Sequence, residues 1–328
     1  MISITSFLLL LAAVGCRGER DKTSEQTAPT FEIQRYPIEV VATTGMVADL
    51  VRNVGGAHVE VRQLLSSGTD PHLYKPTRDD VQAILAADIV FYSGLMLEGK
   101  MGDTLERTSR RKPVKAVTEE IDESLLLEPE NAQGHPDPHV WNDVKTWSQG
   151  VDIVAQALGE IDPEHDSEYQ ANAASYRKQL DTLHEYGVNS LATVPEANRI
   201  LVTSHDAFNY FGRAYGLEVL GVQGLSTESE AGLQRINELV DLLVQNSIQA
   251  VFVESSVPSK NIEALVNGAA SRGHTVRIGG ELFSDAMGPA DAYEGTYIGM
   301  MDHNFTRVAA ALGGEVPSRG MQGKLSDE

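Results

Sequence analysis

One long run of helical periodicity divides the chain and limits how the rest of it can fold. The run extends from about Pro163 to Leu191, and its apolar side chains recur every three or four residues, as on one face of an α-helix. These side chains are Tyr169, Ala173, Tyr176, Leu180 and Leu183. A helix of about 28 residues would be about 42 Å long, which is long enough to bridge two lobes. Gly187 is expected to weaken its C-terminal end.

Short apolar runs on both sides of this stretch predict two sets of strands. The runs cover residues 38–43, 59–65, 88–92, 114–117, 200–204, 218–222, 250–254 and 275–278. They show little alternation, which is typical of strands that are covered on both faces. Amphipathic helices are predicted between them, one beginning after Thr77 with Asp80 completing its cap, and another beginning at Thr227. This alternation predicts an α/β fold: two lobes with mainly parallel sheets, joined by one long backbone helix.

The predicted boundaries follow from this pattern. We expect an N-terminal α/β lobe over residues 38–162, a linking helix over 163–193, a C-terminal α/β lobe over 194–312 and a polar tail over 313–328. Ligands of open α/β sheets bind at the carboxyl ends of the strands. Two such lobes can therefore hold a ligand in the cleft between them.

The start of the chain predicts export and lipidation. Residues 1–15 carry no charged side chain and include an apolar run that is too short to span a bilayer and is typical of a signal peptide. Small residues then lead into Cys16, the only cysteine, in an arrangement that resembles the lipobox of bacterial lipoproteins. Residues 16–37 are polar and predict a lipidated cysteine followed by a flexible tether.

The charge of the chain indicates which partners it can have. The formal net charge is −21, which argues against nucleic acid and against an anionic membrane surface as partners. A strongly acidic chain is better suited to a protein that meets cations.

Three histidines in the middle of the chain have unusual local sequences. His72 and His139 each follow the dipeptide Asp-Pro, and His205 follows the predicted strand 200–204. Proline rigidifies the backbone before each imidazole, and aspartate in this position can fix a turn. Neutral imidazole is the commonest metal ligand in proteins, so these histidines are candidate ligands.

A carboxylate on the second lobe would complete a four-ligand site. Asp285 follows the predicted strand 275–278 and a predicted turn at Gly279-Gly280, and Glu281 is a nearby rival. Three imidazoles with one carboxylate would suit a borderline cation such as Zn²⁺. Of the other histidines, His135 is a doubtful case, and the rest are predicted to be surface residues: His58, His165, His184, His274 and His303.

The motifs around these residues resemble those of a known family. Residues 68–77, 137–141, 203–208 and 284–287 look like the four metal-site motifs of the zinc/manganese solute-binding proteins of bacterial ABC transporters, the cluster A-I family. The resemblance extends in order over residues 40–312. It implies a metal held between two lobes by His72, His139, His205 and Asp285, and one rigid backbone helix between the lobes.

The resemblance also implies partners and a location. Members of this family deliver a divalent metal to a membrane permease, so we expect an extracytoplasmic receptor, anchored to the membrane through lipidated Cys16 and monomeric. The metal is left open between Zn²⁺ and Mn²⁺. Three nitrogen ligands favour Zn²⁺, whereas a bidentate Asp285 would add oxygen character and admit Mn²⁺.

Other functions remain as alternatives at this point. A metal-dependent hydrolase would need an open coordination position and a general base, and the sequence contains no His-Glu-x-x-His motif. A receptor for a chelate such as haem or cobalamin uses a similar two-lobed scaffold, but four protein ligands would leave no room for the chelate. A lipid-anchored member of this family can also act as an adhesin.

Overall fold

The computed structural model describes residue 33 and residues 35–129 and 134–326. The predicted signal peptide, Cys16 and most of the predicted tether lie outside these residues. The described residues belong to the unit Glu32–Glu328.

The N-terminal lobe is built on a parallel sheet with the strand order β2-β1-β3-β4. Its elements are β1 Ile38–Ala42, α1 Gly45–Gly55, β2 Val59–Gln63, α2 Arg78–Ala86, β3 Ile89–Tyr92, α3 Gly102–Ser109, β4 Val114–Ala116, α4 Val144–Trp147 and α5 Gly150–Ile161. The predicted start of α2 is confirmed, because the Thr77 side chain accepts from the Asp80 N–H while the Asp80 side chain accepts from the Thr77 N–H. This reciprocal cap satisfies two backbone donors that the helix leaves free.

The C-terminal lobe contains two parallel strand pairs, β5 with β6 and β7 with β8. Its elements are β5 Ile200–Thr203, α7 Asn209–Tyr215, β6 Glu218–Gly221, α8 Leu233–Gln245, β7 Ala250–Glu254, α9 Lys260–Ser271, β8 Arg277–Leu282 and α10 Tyr297–Ala311. Strand β5 lies next to β7, which brings the carboxyl ends of the two pairs together. The predicted α/β class with mainly parallel sheets is confirmed.

The long backbone helix, α6, runs from Asp166 to Ala192 and packs on α1 and α5 of the first lobe and on α10 of the second. All five of its predicted apolar side chains are buried. Gly187 has a role that the sequence did not predict, since a Cβ there would lie 2.5 Å from the Phe305 ring of α10. The glycine lets α10 approach closely, so the backbone helix contacts both lobes. Within the described residues, no helix combines the length and the hydropathy needed to cross a membrane.

Two sequence predictions in the second lobe are wrong. Gly279 and Gly280 lie inside β8 rather than in a turn, because the β7–β8 register shifts here and Gly280 has a φ of 142°. Glycines in such a position mark a β-bulge. Helix α8 begins at Leu233, not at Thr227, because the Thr227 hydroxyl donates to Asp70 Oδ2 of the other lobe at 2.5 Å.

Candidate metal centre

Four side chains converge on one point between the lobes: His72, His139, His205 and Asp285. One ligand atom of each lies within 4.8 Å of the other three. His72 Nε2 is 3.2 Å from His139 Nε2, and His205 Nε2 is 3.2 Å from Asp285 Oδ2. The two pairs meet through Asp285, whose oxygens lie 3.6 Å from His139 Nε2 and 4.0 Å from His72 Nε2. Ligands of a tetrahedral zinc are about 3.4 Å apart, so one ion fits among these atoms.

The parallel sheets explain why these side chains meet. His72 lies in the turns after β2, His205 comes two residues after β5, and Asp285 comes three residues after β8. His139 precedes the short turn that leads into α4. Because parallel strands end at the same edge of their sheet, the loops that follow them share one cleft. The first two ligand candidates therefore belong to the N-terminal lobe and the last two to the C-terminal lobe.

The repeated Asp-Pro-His sequence forms the same local turn twice. Asp70 Oδ1 accepts from the His72 backbone N–H at 2.8 Å, and Asp137 Oδ1 accepts from the His139 N–H at 2.9 Å. Such a bond from an aspartate to the amide two residues later defines an Asx-turn. The turn fixes the backbone of each histidine, as the sequence predicts.

Two buried carboxylates contact the imidazoles of His139 and His205 on the side away from Asp285. Asp137 Oδ1 is 2.7 Å from His139 Nδ1, and Glu254 Oε2 is 2.5 Å from His205 Nδ1. A carboxylate at Nδ1 stabilises the tautomer with the proton on that nitrogen and leaves the lone pair on Nε2. Both Nε2 atoms face Asp285. The pairs therefore orient two ligand nitrogens toward the centre of the site.

The site contains polar atoms that the protein leaves unpaired. His139 and His205 are fully buried, and Asp285 and His72 are 1% and 8% exposed. Among the residues that the structure describes, His205 Nε2 and both carboxylate oxygens of Asp285 are buried without a hydrogen-bond partner. Burying unpaired polar atoms is costly. A bound cation would remove this cost, because it would coordinate these same atoms.

The ionisation of the site depends on burial and on these carboxylates. Burial lowers the pKa of His72 to about 4, so this imidazole is neutral at pH 7 and ready to bind a metal. Burial also disfavours the charged form of His205, but Asp285 and Glu254 outweigh it and raise the pKa of His205 well above its usual value. Burial alone would raise the pKa of Asp285, yet the imidazoles, His205 above all, bring it well below its usual range. Without a metal, these two shifts favour a charged imidazole at His205 beside the Asp285 carboxylate.

One side of the site opens toward solvent. A cavity of about 600 Å³ lies beside His72 and is lined by both lobes, including Met96, Lys100, His135 and Glu228. Lys100 and Glu228 form an ion pair across its rim. His72 is the most exposed of the four candidate ligands, so the group meets this cavity on the side of His72.

Comparison with known proteins places the chain in a family. The model of the family "zinc-uptake complex component A, periplasmic" matches residues 40–311. The chain belongs to this family. It is 46% identical over 275 residues to the manganese-binding lipoprotein MntA of Bacillus subtilis, covering 84% of this chain and 90% of that protein. It is also 46% identical over 273 residues to the zinc-binding protein TroA of Treponema pallidum, covering 83% of this chain and 88% of that protein.

The fold agrees with this assignment. The solved structure of the periplasmic zinc-binding protein TroA of Treponema pallidum matches with a TM-score of 0.82 at 45% identity, covering 84% of this chain and 99% of that chain. The resemblance to the cluster A-I solute-binding proteins is thereby confirmed, as is the fold of two lobes around a backbone helix.

The remaining candidate residues are placed away from the centre. Glu281, the rival carboxylate, is exposed within β8 and does not belong to the group of converging ligand atoms. His135 is exposed at the cavity beside His72. His303 is 7% exposed, and its Nε2 donates to the Glu281 carbonyl at 2.9 Å, so its prediction as a surface residue is wrong. Its position on the buried face of α10 explains the error.

One important residue, Glu254, was not predicted from the sequence. It ends the apolar strand β7, and it is buried because β5 lies beside β7 and carries His205 to it. The sequence feature that could have indicated its role is a carboxylate at the end of an apolar strand.

Proposed function

We propose that this protein is an extracytoplasmic receptor that binds one Zn²⁺ or Mn²⁺ ion tightly and delivers it to the permease of an ABC transporter. Its ligands are His72, His139, His205 and Asp285. The observation that carries the proposal is the buried group of four converging ligand atoms, of which His205 Nε2 and both Asp285 oxygens have no hydrogen-bond partner in the described part of the chain. Membership in the family supports delivery to a transporter.

The distribution of the ligands between the lobes supports capture and release. Two ligands come from each lobe, so an ion that binds all four favours the closed arrangement of the cleft. Hydrogen bonds also join the lobes beside the site: Trp141 Nε1–H donates to the Ser284 carbonyl at 2.7 Å, and Asn142 Nδ2–H donates to the Ala207 carbonyl at 2.9 Å. A permease that separates the lobes would break the ligand set and release the ion.

A catalytic role is disfavoured by the same arrangement. A hydrolytic metal site keeps one position open for water and needs a general base close to it. Here four protein ligands surround the proposed ion, and the carboxylates behind two of them, Asp137 and Glu254, are each bonded to an imidazole. The family's members are metal-binding transport proteins, which supports a non-catalytic role for this chain.

The donor set admits both metals. Three nitrogens favour Zn²⁺, because Mn²⁺ lies at the weak end of the divalent series, while two oxygens of Asp285 would suit Mn²⁺. The two relatives at 46% identity are named for different metals, manganese for MntA and zinc for TroA. We therefore propose that this chain binds either ion and that supply determines which one it carries.

The location follows from the family and from the start of the chain. MntA of Bacillus subtilis is named a lipoprotein and the family is named periplasmic. We propose that lipidated Cys16 anchors the protein to a membrane outside the cytoplasm. Residues 16–37 would then be the tether that lets a monomeric receptor reach its permease.

Competitive metal binding tests the proposal. The purified chain is demetallated and titrated with Zn²⁺ and Mn²⁺, and the bound metal is measured by elemental analysis. We expect one tightly held ion per chain, lost in the His205→Ala variant and retained in the His184→Ala variant, which alters a half-buried histidine on the backbone helix. Stoichiometric tight binding that survives His205→Ala would refute the ligand set, and tight binding of neither ion would refute the receptor.

A further inference from the structure

A second cluster of metal-binding side chains lies on the surface of the N-terminal lobe. His58, His165 and Glu168 each offer one ligand atom, and these atoms lie within 4.8 Å of one another. His58 Nε2 is 2.9 Å from Glu168 Oε2. The two imidazole rings face each other, with centroids 3.9 Å apart and an angle of 31° between their planes. The sequence predicted both histidines to be ordinary surface residues, whereas the fold brings them together.

The cluster lies at the opposite end of the sheet from the central site. His58 directly precedes β2, whereas His72 lies in the turns after it. A strand of five residues spans about 16 Å. His165 and Glu168 belong to the start of the backbone helix. All three residues move with the N-terminal lobe and α6, so an ion bound here would not depend on closure of the cleft.

A buried carboxylate orients one of the two imidazoles. Asp162 is 3% exposed, and its Oδ2 is 2.9 Å from His165 Nδ1. The same carboxylate accepts from the hydroxyls of Tyr36 at 2.6 Å and Tyr169 at 2.5 Å. A carboxylate held by two tyrosines fixes the His165 ring and leaves Nε2 as the nitrogen with a free lone pair. Asp162 thus repeats the arrangement of Glu254 behind His205 in the central site.

The carboxylates around the peripheral cluster favour a bound cation, although the dipole of α6 opposes one. The start of α6 is the positive end of its dipole, which by itself would repel a metal ion. Four carboxylates within seven residues outweigh it: Asp162, Glu164, Asp166 and Glu168.

We propose that His58, His165 and Glu168 form a second, peripheral site that binds one borderline divalent ion of the Zn²⁺ type. Asp162 positions His165, and water completes the coordination. The three ligands are partly or fully exposed, so the ion is held more weakly than in the central site. Two imidazole nitrogens and one carboxylate oxygen bind Zn²⁺ more tightly than Mn²⁺, because Mn²⁺ lies at the weak end of the divalent series. Zn²⁺ therefore fills both sites, whereas Mn²⁺ fills the central site alone.

Equilibrium dialysis of the full, demetallated chain against increasing free Zn²⁺, with elemental analysis, tests this proposal. We expect one tight and one weaker ion in the wild type. Glu168→Gln, which preserves size, should weaken the second ion by at least about 10-fold while the tight ion is retained, since even a partner outside the ligand set is commonly worth 10–100-fold. His58→Ala should abolish the weaker ion, and the control His184→Ala should keep both.

The Asp285→Asn variant separates this proposal from the central site. It should lose the tight ion and keep the weaker one, so failure of either site is visible by itself. If the wild type binds a single Zn²⁺ even at millimolar free metal, or if the weaker ion survives both His58→Ala and Glu168→Gln, the peripheral site does not exist. If His58→Ala loses the tight ion as well as the weaker one, that variant has unfolded. The affinity of Glu168→Gln for the weaker ion then decides whether the peripheral site exists.

Discussion

The molecule brings histidines and carboxylates together in two places, and the two clusters differ in what their polar atoms already contact. In the central site, His205 Nε2 and both Asp285 oxygens are buried and have no hydrogen-bond partner within residues 35–129 and 134–326. In the peripheral cluster, His58 already contacts Glu168, and the ligands are half-buried or exposed to water. An ion gains most where it satisfies atoms that water cannot reach. The comparison therefore predicts tight binding in the centre and weak binding at the periphery.

The clusters also differ in how they relate to motion. The central ligands come from both lobes, so binding and cleft closure are coupled. The peripheral residues belong to one lobe and the start of α6, so they can hold an ion whether the cleft is open or closed.

The largest effect is expected from Asp285→Asn, which removes the only anionic ligand of the central site. We expect the affinity for the central ion to fall by more than about 100-fold, since loss of an outer partner alone commonly costs 10–100-fold. Isothermal titration with a competing chelator measures this change. The matched control is Glu281→Gln, on the same segment but exposed, which should be close to wild type. The opposite ranking of the two variants would move the fourth ligand to Glu281.

A smaller but still large effect is expected from Glu254→Gln. Glu254 does not belong to the group of candidate ligands, but it holds His205 through both the backbone N–H and Nδ1. An amide at this position can present its NH₂ group to Nδ1 and stabilise the wrong tautomer, so central affinity should fall by about 10–100-fold. The equivalent change at the periphery, Asp162→Asn, should leave the tight ion unaffected. A Glu254→Gln chain that binds like the wild type would show that the carboxylate is not needed.

The pH dependence of the central site should be steep. Asp285 and Glu254 raise the pKa of His205 well above its usual value despite burial, so in the metal-free protein His205 is protonated at neutral pH. A metal must displace this proton, and affinity therefore rises with pH, by roughly tenfold per pH unit for one displaced proton. His72, with a pKa lowered by burial to about 4, should contribute no proton above about pH 5.

Titrations in buffers of different ionisation enthalpy count the released protons directly. We expect close to one proton per central ion at pH 7. Affinity that does not change between pH 6 and pH 8 would contradict a protonated His205 in the metal-free state.

The four central residues could be found from the sequence because each lies in its own short motif: His72 and His139 follow Asp-Pro, and His205 and Asp285 follow predicted strands. Their supporting residues could not be identified in the same way. Glu254 can support His205 only because β5 lies beside β7. Thr227 does not begin the predicted helix, because its hydroxyl donates to Asp70 of the other lobe. Gly187, predicted to weaken α6, is required there by the ring of Phe305. Each of these depends on contacts between segments far apart in the chain, which local periodicity and turn chemistry do not contain.

The peripheral cluster illustrates the same limit. His58 and His165 have no motif that distinguishes them from surface histidines, and they meet only because α1 and α5 pack against the backbone helix. Patterns within one segment predict helices, strands and Asx-turns, whereas a site assembled from segments that lack a motif becomes visible only in the folded chain.

The smallest effect on metal binding is expected from Gly187→Ala, where α6 meets α10. The added methyl group would lie 2.5 Å from Phe305, so the two helices must separate or the ring must move. Overpacking of this kind costs about 1–3 kcal/mol of stability. Because α10 belongs to the second lobe, the distance between the lobes changes as well, and we expect a several-fold loss of central affinity with the peripheral ion unchanged. Thermal unfolding and zinc titration of the same sample measure both effects.

Gly102→Ala is the control for this last variant. Gly102 begins α3, and an added Cβ there meets no atom of the described residues within 4 Å. This change should therefore stabilise the chain slightly or leave it unaltered, since alanine favours helix over glycine by up to about 1 kcal/mol. If Gly187→Ala lowers stability without altering central affinity, α6 holds the lobes together but does not set their spacing. If it weakens both ions equally, the two sites are coupled through the backbone helix, and the independence of centre and periphery is wrong.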